Sequence, residues 1–208
     1  MSLEGLKLAV PRGALMGDTL DLLDRLGVDT AETRANDRKL LFRDVITMRP
    51  SDVPTYVEAG AADIGVTGKD VLAEQSERDV YELLDLGFGP CRMVFATVAG
   101  DDPAAEALRR LGVMRVATKY PKIAARHFER TGRQAEIVEV KGSVELAPLT
   151  GLVEGIVDLT ATGTTLRENG LVIREEIAAS TARLIANPVS HKLKAGAIDR
   201  LLERIRAA

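Results

Sequence analysis

The segment at residues 154–170, EGIVDLTATGTTLRENG, constrains this chain more than any other stretch. Residues 156–159 are apolar apart from Asp158, the pattern of a short buried strand. The pattern then switches to small and hydroxylated residues, Thr160-Ala161-Thr162-Gly163-Thr164-Thr165, before residues 166–170 close as a short helical turn. A strand that empties into a Thr/Gly loop at a helix start leaves several backbone N–H groups without partners. Those groups and the helix dipole together favour a phosphate. Gly163 lets the backbone approach a ligand closely, and the threonine hydroxyls add donors without crowding it. Asp158, toward the carboxyl end of the strand, is placed to accept hydrogen bonds from ribose hydroxyls. Any single Thr-Gly-Thr also fits an ordinary strand–turn–helix with a threonine cap, so the loop has to be weighed with the rest of the chain.

The rest of the chain repeats the theme. Residues 6–10, LKLAV, read as a strand that leads into Pro11-Arg12-Gly13. A helix capped by Asp18 or Thr19 follows, with Leu20, Leu23 and Leu26 on one face and Gly27 as its stop. Residues 40–48 read as a strand pair or a bent strand. Arg49-Pro50-Ser51 then opens a helix with Ser51 as N-cap and Gly60 as its end. Residues 62–70, ADIGVTGKD, are a third strand-to-helix junction, with Thr67, Gly68 and Lys69 at its turn. Further on, strands are expected at 91–98, 114–118 and 135–140. Helices are expected from Pro103 to Gly112, at 122–130 and, capped by Gly142-Ser143, at 144–150. This alternation of strands and helices is the sign of a parallel sheet. Strands at 171–179 and 181–186 return the chain. One long amphipathic helix at 189–206 then buries Ala197, Ile198, Leu201, Leu202 and Ile205.

The predicted fold class is α/β with two lobes, each a mostly parallel sheet flanked by helices, and a ligand cleft between them. Lobe I comprises residues 1–90 plus 177–208, lobe II residues 91–176. Gly87-Phe88-Gly89-Pro90 is the expected hinge.

Composition narrows the possible functions. The net charge of −3 argues against a sequence-independent nucleic-acid binder, and 3% aromatic residues with no Trp leave no base-stacking platform. No apolar run approaches a membrane span, and the N-terminal stretch lacks the pattern of a signal peptide, so a cytoplasmic protein is expected. Cys91 is the single cysteine, which excludes an intrachain disulfide and a cysteine-based zinc site. His127 and His191 fall in or near predicted helices and are expected to be structural or surface residues.

The central string resembles the signature of ATP phosphoribosyltransferase, the first enzyme of histidine biosynthesis, and its DLTATGTT core resembles a phosphoribosyltransferase ribose-5-phosphate loop. PRGAL, RPSDVP, ADIGVTGKD, ATKYP and GSVELAP also resemble that family's characteristic segments, in order and along nearly the whole chain. The resemblance implies a fold like that of type II periplasmic binding proteins. It implies ATP and 5-phosphoribosyl 1-pyrophosphate (PRPP) as substrates, and Mg²⁺ held mainly by water and substrate oxygens, with no protein ligand assigned. PRPP is expected at Asp158, Thr160, Ala161, Thr162, Gly163, Thr164 and Thr165. ATP or pyrophosphate is expected at Arg12, Gly13, Thr67, Gly68 and Lys69, with Arg49 and Arg12 acting in catalysis.

Long members of the family continue into a histidine-binding regulatory domain, and this chain resembles the short form. A homodimer is therefore expected, with a regulatory subunit resembling histidyl-tRNA synthetase in a hetero-oligomer. A non-catalytic small-molecule binder on the same fold is the alternative reading. Prephenate dehydratase and porphobilinogen deaminase share the lobe topology. The former has no use for the TATGTT loop, and the latter needs a cofactor cysteine elsewhere than at the Cys91 hinge.

Overall fold

A computed structural model describes residues 3–36 and 38–207. The chain begins β1 (Leu8–Pro11), α1 (Met16–Arg25), α2 (Ala31–Arg34) and β2 (Val45–Met48). A 3-10 turn (Pro50–Asp52), α3 (Val53–Glu58), β3 (Ile64–Gly68), α4 (Lys69–Glu74) and β4 (Tyr81–Asp85) follow. Next come β5 (Cys91–Val98), α5 (Pro103–Leu111), β6 (Met114–Thr118), α6 (Pro121–Arg130) and β7 (Ala135–Glu139). The remaining elements are α7 (Leu146–Leu149), β8 (Gly155–Thr160), α8 (Thr164–Glu168), β9 (Leu171–Ser180), β10 (Ala182–Ala186), α9 (Pro188–Leu193) and α10 (Ala195–Ala207).

These elements form two compact units, Met1–Gly89 with Thr181–Ala208, and Pro90–Ser180. Each holds a five-stranded sheet, ordered β2-β1-β3-β10-β4 in the first and β7-β6-β8-β5-β9 in the second. In both, three neighbouring strands are parallel, and the strand that follows a passage from the other unit, β10 or β5, runs antiparallel beside them. The α/β class and the mostly parallel sheets agree with the expectation. The return passage lies between Ser180 and Thr181, later than the expected 176/177. The reason is that β9 pairs with β5 along its whole length, from Val98↔Leu171 to Cys91↔Ser180.

Apolar alternation explains the packing. Leu8, Val10, Ile64, Val66 and Leu184 face Leu20, Leu23, Ile198 and Leu201 of the flanking helices. On the other face, Val53 and Val57 of α3 pack on Ala9 and Ile185. Gly65 is required at that contact, because a Cβ there would lie 2.6 Å from Val53 Cγ1 and 2.8 Å from Val57 Cγ2. Helix α3 therefore sits directly on β3, which carries the loop before it to the end of that strand. In the second unit Phe128, Phe95 and Met114 form the centre of one face, and Ile156, Val144 and Leu166 that of the other.

The structure corrects local expectations. Helix α1 starts after Leu15, so Asp18 and Thr19 lie inside it, and Thr19 Oγ1 donates to Leu15 O at 2.6 Å. Ser51 caps no helix, because Pro50–Asp52 forms a 3-10 turn and the Ser51 hydroxyl turns to Asp52. The helix expected at 144–150 is a single turn. The expected long C-terminal helix is two, broken at Lys194, whose ammonium donates to Gly5 O and Asp63 Oδ2. Helix α5 matches its signals: Asp102 accepts from the amides of Ala104 and Ala105, and Gly112 ends it with φ 75°.

Candidate active site

Parallel strands gather the predicted residues at the carboxyl edge of each sheet. In the first unit Pro11 pairs with Met48, so Arg12 and Arg49 leave adjacent strands side by side, and the Arg12 amide donates to Met48 O at 2.7 Å. Leu8↔Ile64 and Ala9↔Gly65 bring the end of β3, Gly68 and Lys69, to the same edge. Arg49 is exposed, and its side chain has no partner among the described residues; Arg12 is half-buried. Gly13 has φ 84°, a conformation glycine adopts freely, with open space where a Cβ would stand.

Two predicted contacts at this edge are already committed elsewhere. Thr67 is fully buried and its hydroxyl donates to Pro50 O at 2.9 Å, so it anchors the Arg49 loop to β3 and has no donor left for a ligand. Lys69 Nζ lies 2.5 Å from Glu82 Oε2, and the other Glu82 oxygen accepts from Arg183 Nε at 2.8 Å. An anion at Lys69 would share it with Glu82.

In the second unit β8 delivers the Thr/Gly loop to the carboxyl edge shared with β6 and β7. Gly163 has φ 73°, and its amide donates to Thr160 Oγ1 at 2.8 Å. The Thr164 amide donates to Thr162 Oγ1 at 3.3 Å, and the two hydroxyls lie 2.9 Å apart. The amides of Ala161, Thr162, Thr165 and Leu166 donate to no protein acceptor among the described residues. Ala161, Thr162, Thr164 and Thr165 are exposed. Helix α8 spans only Thr164–Glu168, so its macrodipole is small and the loop amides themselves are the anion-binding groups. Arg167 curls back over the loop, its guanidinium donating to Thr162 O at 3.4 Å and Thr164 Oγ1 at 3.1 Å.

Asp158 lies in β8 ahead of the loop and is 7% exposed. Its Oδ1 accepts the Leu159 amide at 2.8 Å, and Lys119 Nζ stands 3.7 Å from Oδ2. Burial pushes its carboxyl up, the Leu159 amide and Lys119 oppose that rise, and Glu145 adds to it. At the other end of β8, Glu154 is tied to Arg115, accepting from its amide at 2.6 Å and from Nη2 at 2.5 Å. Burial raises the Glu154 carboxyl, and the Arg115 hydrogen bonds bring it below the usual carboxylate range. The acidic residue that opens the signature is thus a structural clamp between β8 and β6.

The family described as "HisG: ATP phosphoribosyltransferase" matches residues 49–207. An ATP phosphoribosyltransferase of Rubrobacter xylanophilus is 53% identical, the match covering 98% of this chain and 96% of that one. A Geobacillus relative of the same name is 46% identical over 96% of this chain and 97% of its own. The chain belongs to the ATP phosphoribosyltransferase family. Among solved structures, the ATP phosphoribosyl transferase (HisG:HisZ) complex from Thermotoga maritima contains a chain 36% identical to it, with a TM-score of 0.80 and 97% of each chain covered. The periplasmic aliphatic sulphonate binding protein SsuA from Escherichia coli shares the fold at 12% identity and a TM-score of 0.60, covering 96% of this chain and 70% of that one.

Three further residues stand at the edges of the site. Lys119 follows β6 directly, Arg167 lies in the LRENG tail of the signature, and Glu82 sits on β4. For Lys119 the available signal was a cation directly after a strand, and for Arg167 a cation one turn beyond the Thr/Gly loop. Glu82 had none, because its proximity to Lys69 arises only when β10 is inserted between β3 and β4. His127 is buried against Glu175 at 2.9 Å, and His191 packs edge-on against Tyr81, with ring centroids 5.4 Å apart. Both make structural contacts. No helix among the described residues is long and apolar enough to cross a membrane.

Proposed function

We propose that this chain transfers the 5-phosphoribosyl group of PRPP to N1 of ATP, giving N1-(5-phosphoribosyl)-ATP and pyrophosphate. The observation that carries the reading is the Thr/Gly loop with its unpartnered amides, on a chain belonging to the ATP phosphoribosyltransferase family. In this reading the amides and hydroxyls at Thr160, Ala161, Thr162, Gly163, Thr164 and Thr165 take the 5-phosphate, and Asp158 accepts from the ribose hydroxyls. Arg12, Gly13, Gly68 and Lys69 bind the phosphates of ATP or pyrophosphate.

The chemistry asks little proton transfer of the protein. Adenine N1 carries a free lone pair, so the N1–C1 bond forms as the C1–oxygen bond to pyrophosphate breaks, and no strong general base is needed. Positive charge develops at C1 and negative charge on the leaving oxygens. Catalysis then rests on holding two anionic substrates in line and on stabilising the departing pyrophosphate, the roles assigned to Arg49 and Arg12. No group of three His, Cys, Asp or Glu side chains among the described residues could cage a metal. Mg²⁺, in this reading, would come with the pyrophosphate oxygens and water and would supply charge neutralisation there.

The proposal extends to assembly. The likeness to the chain of the HisG:HisZ complex, with 97% of each covered, supports a hetero-oligomer with a second, regulatory subunit. In this reading the chain is a homodimer that works in the cytoplasm, and the second subunit resembles histidyl-tRNA synthetase. The deciding assay is pyrophosphate release on mixing the protein with ATP, PRPP and Mg²⁺. Release that requires both substrates is expected. Binding of PRPP without turnover in the complete mixture would favour a non-catalytic binder instead.

A further inference from the structure

The end of β6 offers a relationship that the substrate assignments leave unused. Thr118 pairs with Val157, so Lys119 comes alongside Asp158 as the two strands reach the carboxyl edge. The Asp158 side chain is 9% exposed and the Lys119 side chain 40% exposed. One carboxylate oxygen is held by the Leu159 amide, while Oδ2 faces the ammonium at 3.7 Å. That separation is longer than a hydrogen bond yet close enough for strong attraction where water is excluded. Oδ2 therefore keeps its lone pairs for another donor.

The charged groups facing Asp158 are few. Lys119 approaches from the end of β6 and Glu145 from the turn before α7. Across the sheet β5 presents Val94, which is uncharged. One cation thus opposes both desolvation and a like charge. A buried carboxyl in that balance titrates upward when the cation is removed, and once protonated it has lost the charged acceptor that a hydroxyl donor prefers.

We propose that Lys119 is a positioning residue of the phosphoribosyl subsite: its ammonium, standing over Oδ2, keeps the buried Asp158 side chain as the charged acceptor that a ribose hydroxyl needs. This rests on the reading of Asp158 as a PRPP contact. Lys119 acts through Asp158, and its own partial exposure lets the ammonium shift as the substrate arrives.

Two measurements that need no turnover test it. Carboxyl ¹³C NMR of the free protein, with the Asp158 resonance assigned through Asp158→Asn, reads the titration of that group. Calorimetric PRPP binding in the absence of ATP, at pH 6 and pH 8.5, reads its use. In Lys119→Met the Asp158 titration should move up by about one pH unit, a tenfold change in the protonation equilibrium. PRPP binding should weaken more at pH 6 than at pH 8.5, by no more than the roughly tenfold that a one-unit shift allows. Lys119→Arg should restore the wild-type profile at both pH values.

An Asp158 resonance that titrates identically in Lys119→Met and wild type would overturn the inference. So would equal weakening of PRPP at both pH values, the mark of a direct phosphate contact. Wild-type protein that binds PRPP but releases no pyrophosphate with ATP defeats the proposed transferase activity and leaves this inference standing. Wild-type protein that binds no PRPP removes the subsite itself, even if the carboxyl titration moves as expected.

Discussion

Gly163 donates its amide to the Thr160 hydroxyl at 2.8 Å while holding φ at 73°. This one turn reverses the chain at the end of β8 and leaves the amides of Ala161, Thr162, Thr165 and Leu166 without protein acceptors. A Cβ at Gly163 would have room, the nearest atom being Ile173 Cδ1 at 3.6 Å, so the cost of a side chain is conformational. Gly163→Ala should lower unfolding stability by about 1–2 kcal/mol. It should also raise the KM for PRPP more than that for ATP. A denaturant midpoint equal to wild type would show that the left-handed turn is not needed.

Asp158→Ala and Thr162→Ala should both raise the KM for PRPP much more than that for ATP. Asp158 is the buried acceptor beside the loop, and Thr162 Oγ1 organises it by accepting the Thr164 amide and pairing with the Thr164 hydroxyl. Initial-rate kinetics with each substrate varied in turn check this, and equal effects on the two substrates would defeat the assignment.

Arg49 is exposed at the carboxyl edge of the first sheet and has no side-chain partner among the described residues. A cation that meets pyrophosphate gains most as charge develops on the leaving oxygen. Arg49→Ala should therefore lower kcat, by about 100-fold if it acts like other charge-stabilising groups. A change confined to KM would leave it only ground-state binding.

Asp63 closes the opposite edge of the first sheet. It is 7% exposed and accepts from the Lys7 amide at 2.8 Å, Ser190 Oγ at 2.7 Å and Lys194 Nζ at 2.8 Å. Burial pushes its carboxyl up, but the Lys194, Lys7 and Ser190 hydrogen bonds outweigh it and hold the group below 3.8. Because the folded pKa is depressed, the stabilisation is present above the unfolded value and is lost as pH falls through the folded one. Asp63→Asn should therefore cost about 2–3 kcal/mol at pH 7 and progressively less below pH 3.8. Thermal melts of both proteins across that range give the comparison, and a difference independent of pH would contradict it.

The isolated chain should behave as a homodimer with modest pyrophosphate release and little response to histidine. Adding the synthetase-like subunit should raise the rate and confer histidine sensitivity, a coupling between two sites. Light scattering with the same assay, run with and without histidine, tests both statements. Inhibition of the isolated chain by micromolar histidine would place the regulatory site within it.

Local signals carried much of the architecture. Asp102-Pro103 and Gly112 bound α5 because capping and left-handed termination depend on residues within one turn. The same holds for β8 and its loop, where Gly163 and the threonines dictate the turn by their own hydrogen bonds. Where the boundary depends on distant groups, such signals mislead. The 3-10 turn at Pro50–Asp52 is held by the buried Thr67 hydroxyl, and α9 stops where Lys194 reaches across to Asp63.

What the sequence determined by itself was the chemistry of each loop and the family, since both reside in residue types at short spacing. Tertiary structure decided which of those groups remain available. Thr67 reads as a donor in ADIGVTGKD, yet packing on Pro50 consumes its hydroxyl. Lys69 reads as a cation for phosphate, yet the insertion of β10 beside β3 brings Glu82 and Arg183 to it. Asp158 reads as an acceptor, and only the register Thr118↔Val157 shows that Lys119 stands beside it. The physical reason is that hydrogen-bonding capacity belongs to a side chain, whereas its occupation and desolvation belong to the neighbours that folding brings within a few ångströms.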